Sequence, residues 1–104
     1  MKIAIGSDHG GFHLKEHIKQ YLQARDGEVL DFGTCTEESV DYPDIAEKVG
    51  RAVAAGEPKR GILICGTGIG ISIAANKIHG IRAALCTDVF STLMRREHNE
   101  ANIL

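Results

Sequence analysis

A cysteine stands directly before alternating glycines in CGTGIG (65–70), where Cys65 is followed by Gly66, Thr67, Gly68, Ile69 and Gly70. An ionised thiol is a base or a nucleophile. Glycine backbone lets N–H groups approach an anion without Cβ interference, and a helix that begins there adds a dipole favouring negative charge. Such a helix end stabilises a thiolate by roughly 0.3–1 kcal/mol, up to about 2 when partly buried. The pairing therefore suits removal of a proton with the resulting oxyanion held nearby. No Gly-Lys-Ser/Thr follows, so this is not a Walker loop, and GxGxG spacing misses the dinucleotide fingerprint. The plainer alternative is a tight turn after a strand that ends on a small buried residue.

A second group lies in GSDHGG (6–11), where Asp8 adjoins His9. A carboxylate beside an imidazole can orient a hydroxyl and move a proton near neutral pH; a helix-capping aspartate beside an exposed histidine is the simpler account. A third is His98 and Asn99 in RREHNEAN (95–102). His13 and His17 have a metal-compatible spacing but no evident third ligand, so they read as a solvated face and no metal site is expected. Lys77 and Arg82 read as charges complementing a helix end. Of the three cysteines, none is in a CxxC pair, which argues for reduced thiols. Cys35 and Cys86 lack a glycine turn and read as packing residues.

To bring these groups together the chain needs elements. Residues 2–6, 28–32, 61–65 and 81–86 are short apolar runs that predict strands. Between the first two, Leu14, Ile18, Tyr21 and Leu22 form an inward stripe while Lys15, Glu16 and Lys19 face away, with Gly27 ending the helix. A second helix lies in DYPDIAEKVGRAVAAG (41–56), with Ile45, Val49 and Val53 on one stripe. A third runs from the glycine loop to about Lys77, and a fourth from Asp88, its N-cap, to about His98. The alternation predicts an α/β fold, a three-layer, doubly wound, Rossmann-like parallel sheet with right-handed crossovers. It is C-terminally short: ANIL (101–104) starts a fifth strand with no closing helix after it.

In such a sheet ligands bind beyond the carboxyl ends of the strands, so the loops 6–11 and 65–70 should face one another. The fourth helix leaves that edge and descends about 1.5 Å per residue, roughly 15 Å over ten residues. His98 should therefore end far from its own Cys65 and serve a neighbour's site, if it serves one. A C-terminal histidine favoured by the helix dipole is the alternative.

With 104 residues the chain makes one domain, and 43% hydrophobic and 25% charged residues with a formal net charge of −2 give no bulk attraction to nucleic acid or acidic lipid. No window resembles a signal peptide or a membrane span, which points to the cytoplasm and to no membrane partner.

SDHGGFHLK, ESVDYPD, ILICGTGIGISIAANK, GIRAALC and REHNEANIL, in this order, make the chain resemble type B ribose-5-phosphate isomerases across its length. The resemblance implies interconversion of ribose 5-phosphate and ribulose 5-phosphate through a cis-enediolate, without metal or organic cofactor. It implies Cys65 as base and His98, from the adjacent subunit of a homodimer or dimer of dimers, as helper in ring opening. Asp8, His9 and Asn99 match substrate contacts, and Gly66, Thr67, Gly68, Ile69 and Gly70 match the loop that receives the enediolate. One branch of the family has a carboxylate where this chain has Ile71; Cys65 with Ile71 resembles the cysteine branch. Family members continue beyond ANIL with arginines that bind phosphate. A form that ends at residue 104 is expected to be weakly active or inactive. Two other readings remain: a catalytically impaired sugar-phosphate-binding domain, and an isomerase of a six-carbon sugar phosphate such as allose or galactose 6-phosphate.

Overall fold

The computed structural model describes residues 1–35 and 38–104. Strands β1 (Lys2–Ser7), β2 (Glu28–Asp31) and β3 (Arg60–Ile64) form a parallel sheet in the order β2-β1-β3. Ile5 pairs with Asp31 on one side and Ile62 on the other. The first crossover thus leaves β1 on one side and the chain returns to its other side, which sets the carboxyl ends of β1 and β3 next to each other. Helices α1 (Phe12–Gln23), α2 (Tyr42–Ala54), α3 (Ile69–Asn76) and α4 (Val89–Glu97) complete the fold.

Apolar residues on alternate strand positions set the layers. Ala4 and Leu63 join Ile45, Val49 and Val53 of α2 and Ile71 and Ala75 of α3 in one buried cluster. Contact is so close that a Cβ on Gly6 would lie 2.7 Å from Ile45 and 2.9 Å from Val49, which demands glycine there. The opposite face, with the fully buried Ile5, carries α1.

α1 differs from the expected phase. Lys15, placed outside by its stripe, has no exposed surface, whereas Leu14 and Tyr21, placed inside, are 54% and 52% exposed. The cause is Asp31 at the end of β2, which offers Lys15 a carboxylate on the sheet's α1 face and so makes burial of the cation tolerable. The helix also ends at Gln23, short of Gly27, and Asp26 takes the left-handed turn conformation (φ 61°).

Neither the expected strand at 81–86 nor a full fifth strand forms. Ile103 instead makes single parallel bridges to Gly61 and to Ala83, so the last residues insert between β3 and the 82–84 segment. Gly61 N–H donates to Asn102 O (2.9 Å), Leu104 N–H to Gly61 O (2.9 Å), and Ala84 N–H to Ile103 O (3.0 Å). On its far side Ala83 is met by a side chain: its N–H donates to Asn76 Oδ1 (2.8 Å) and its carbonyl accepts from Asn76 Nδ2 (2.9 Å). With a three-residue partner on one side and a carboxamide on the other, the ladder stays short. Arg82 donates to Glu100 O (2.9 and 2.8 Å) and so ties this segment to the chain's last turn, a different use from the helix-end complement expected of it.

Candidate active site

Two strand ends build the site. β1 stops at Ser7 and passes into a 3₁₀ turn (His9–Gly11) capped by Asp8, whose Oδ1 accepts the Gly11 N–H at 3.1 Å. β3 stops at Ile64, and Cys65 follows as the first residue beyond the sheet. The two ends are stitched together, since Asp8 N–H donates to Ile64 O (3.2 Å). A Cβ on Gly10 would sit 3.5 Å from Gly66 N, ordinary van der Waals contact, so the two loops lie side by side.

The second loop turns at Gly68, whose φ of +80° favours glycine, and α3 begins at the next residue. That turn aims the Gly68 N–H at Cys65 Sγ, 3.0 Å away. A main-chain donor there fixes the sulfur's orientation and complements negative charge on it. Thr67 Oγ1 accepts the Ile69 N–H (3.2 Å), which holds the tip of the loop. Cys65 is half-buried, and with Gly66, Thr67 and Gly68 it borders a cavity of about 250 Å³ closed on the other side by Leu85 and Cys86. Leu85 lies 2.5 Å from where a Cβ on Gly68 would be, so this wall rests directly on the loop.

Asp8, almost fully buried, and His9, exposed, stand beside this loop and do not line the cavity. His9 Nδ1 accepts the Val40 N–H at 3.3 Å, so the neutral ring carries its proton on Nε2. His98 and Asn99 are exposed beyond the end of α4 and are not in the cavity wall; Asp88 caps that helix at its other end, accepting the Ser91 N–H at 2.7 Å. The structure thus gathers Asp8, His9 and residues 65–70 at one edge, while His98 and Asn99 lie exposed past α4.

Some residues have other places than expected. Cys35 is exposed and does no packing, because it follows β2 in the loop beyond the carboxyl edge, and Cys86 lines the same cavity as Cys65. His13 and His17, by contrast, are exposed on α1 as expected, and Lys77 stands at the C-terminus of α3, the helix end expected of it. Tyr42 escaped the sequence reading. Its ring and hydroxyl approach within 2.7–2.9 Å of a Cβ built on Gly70, so it buttresses the glycine loop from α2. The signal was its position between Asp41 and Pro43 at a helix start, which places the ring at the sheet's carboxyl edge.

Among the ionisable groups near this edge, the shifts centre on α1 and the end of β2. Burial pushes the Asp31 carboxyl up, but the hydrogen bonds from Lys15, Lys19 and the Gly33 N–H outweigh it and hold Asp31 below its ordinary value. Glu16 is held low chiefly by its hydrogen bond from Lys15, and Lys19 is raised chiefly by its bond to Asp31.

A family model described as Ribose/Galactose Isomerase matches residues 3–104. The chain belongs to the ribose/galactose isomerase family. Ribose-5-phosphate isomerase B of Escherichia coli (strain K12) is 54% identical over 103 residues, which are 99% of this chain and 69% of that protein. The solved ribose-5-phosphate isomerase B of Clostridium thermocellum is 63% identical with a TM-score of 0.99, covering 100% of this chain and 70% of that one. That of Mycoplasma genitalium, solved with ribulose-5-phosphate bound, is 41% identical with a TM-score of 0.93, covering 99% and 69%. These likenesses establish the α/β fold and the isomerase family. No described helix is long and apolar enough to cross a membrane.

Proposed function

We propose that the protein interconverts ribose 5-phosphate and ribulose 5-phosphate, with Cys65 as the base. The observation that carries this reading is the Gly68 N–H aimed at Cys65 Sγ at the start of α3, on the wall of a cavity, in a chain of this family. Cys65 takes the proton from carbon 2 of the open-chain aldose. The electron pair moves into the bond between carbons 1 and 2 and leaves negative charge on the oxygen at carbon 1. Main-chain N–H groups of the 66–70 loop other than those of Gly68 and Ile69, which Cys65 Sγ and Thr67 Oγ1 already take, hold that charge; one such donor is worth about 2.7–4 kcal/mol where it has been removed from other enzymes. Return of the proton to carbon 1, with the carbon 2 hydroxyl giving up its own to the oxygen at carbon 1, completes the ketose. Asp8 and His9 hold sugar hydroxyls, with His9 Nε2–H as a donor.

His98 and Asn99 complete the site of a second copy. α4 supports this because it buries no residue, while Val89 and Phe90 are 76% and 71% exposed, an apolar face suited to another subunit. The setting proposed is cytoplasmic, with a sugar phosphate as the small-molecule partner and neither nucleic acid nor membrane.

The test is wash-in of solvent deuterium at carbon 2 of ribose 5-phosphate. Exchange that disappears in Cys65→Ala supports the reading. Binding without exchange in the unaltered chain would show a sugar-phosphate-binding domain instead, and faster exchange with allose or galactose 6-phosphate would move the assignment to six-carbon substrates.

A further inference from the structure

Lys15 is the largest fully buried side chain among the described residues, and the proton transfer above makes no use of it. Its Nζ donates to Asp31 Oδ2 (2.5 Å) and Glu16 Oε2 (2.8 Å) and lies 5.4 Å from the centre of the Phe12 ring. Lys19 Nζ reaches the same Asp31 oxygen at 2.8 Å. The other oxygen, Oδ1, accepts the Gly33 N–H at 2.9 Å and so folds the chain into a turn directly after β2. That turn grips β1. Ser7 N–H donates to Gly33 O (2.6 Å) and Ser7 O accepts from Thr34 N–H (2.8 Å), so both main-chain groups of the residue before Asp8 are held from one side. Asp8 N–H is held from the other, by β3. Further along the same connection, Val40 supplies the N–H that fixes the His9 ring.

A buried ion pair is a weak source of stability, because an apolar pair of the same volume is often as stable or more so. What distinguishes this pair is directional: each carboxylate oxygen has its own task, one toward the cations and one toward the strap. We propose that Lys15 and Asp31 are positioning residues of the isomerase site, a clamp that holds the Gly33–Thr34 strap on Ser7 and thereby aims Asp8 and His9. The inference rests on the reading of the first loop as a substrate contact.

Removing Asp31 alone deprives the buried Lys15 cation of a partner and can unfold the chain. The decisive variant is therefore the double substitution Lys15→Met with Asp31→Leu, which removes both charges, accompanied by Asp31→Asn, which keeps an oxygen for the Gly33 N–H. Two readouts are made on folded protein: the imidazole ¹⁵N shifts of His9, which report its tautomer without substrate, and kcat and KM for ribose 5-phosphate. The double variant is expected to lose the preference for the Nε2–H tautomer and to fall about tenfold in kcat/KM, chiefly through KM as expected for lost ground-state contacts. Asp31→Asn should fall less. Unchanged His9 shifts in the double variant overturn the clamp, and so do changed shifts with unaltered kcat/KM. Wild-type activity in His9→Ala together with Asp8→Asn would instead overturn the assignment of the first loop, and the ¹⁵N result still reads the clamp by itself.

Discussion

Helices α2 and α4 are both amphipathic, yet one vanishes into the molecule and the other stays on its surface. α2 buries Ile45, Ala46, Val49, Gly50 and Val53 inside the molecule, and α4 buries nothing, with Val89, Phe90 and Leu93 each more than half exposed. A helical apolar stripe states that a partner exists; it does not state which chain supplies it. The candidate site divides along the same line. Tyr42, at the start of α2, supports the glycine loop of its own chain, whereas His98 and Asn99, past the end of α4, do not border the cavity beside that loop.

Loss of the proposed base should have the largest effect. Cys65→Ala is expected to slow carbon 2 exchange by about 10²–10⁴-fold, the usual range for a general base, with an unchanged melting temperature. His98→Ala should also impair turnover, and an equimolar mixture of the two inactive variants should regain about a quarter of full activity through hybrid dimers. A mixture that stays inactive after subunit exchange would break the comparison, because α4 would then serve its own chain.

Packing comes next. Ile45→Ala should destabilise by about 2–5 kcal/mol in denaturant titration, as buried truncations do. Phe90→Ala should change the stability of the isolated chain by less than about 0.5 kcal/mol, yet shift sedimentation toward smaller species. A large loss of monomer stability in Phe90→Ala would show that α4 is covered from within.

Gly70→Ala drives a methyl group into the Tyr42 ring, with contacts of 2.7–2.9 Å, and should cost about 1–3 kcal/mol. Adding Tyr42→Ala should relieve that strain and leave the loop unsupported, which separates the two roles in thermal melts and exchange rates.

The smallest effect is acid sensitivity. Asp31 and Glu16 are both held below their ordinary values of 3.8 and 4.5, so the stability they contribute is present above those values and is lost as pH falls through the lowered ones. Melting temperature against pH should therefore fall less steeply on the acid side in Asp31→Asn than in the unaltered chain. Lys19, raised above 10.5, has the opposite sign, and its contribution is present below that value and lost at higher pH.

How much of this was legible follows from the residues themselves. Continuous apolar runs at 2–6 and 61–65 announce buried parallel strands, and both formed within a residue of those bounds because their periodicity is local information. The capping role of Asp88 was equally local. Lys15 was misread because helix phase was judged from hydrophobicity alone, and its partner lies sixteen residues away on another element. The 81–86 segment has strand composition but lacks a long neighbour, and composition carries no account of neighbours. Cys65 and its glycines could be read as a candidate site because a thiol and main-chain donors are adjacent in the chain, whereas Tyr42 reaches Gly70 only through tertiary packing.

The Asn76 carboxamide on Ala83 has a further consequence. A sheet margin with free main-chain groups invites another polypeptide to dock strand against strand, which is a common first step toward aggregates. Here one amide side chain mimics the missing neighbour, consuming donor and acceptor at once. Replacing it by leucine would open both Ala83 main-chain groups, and that variant is expected to aggregate more readily.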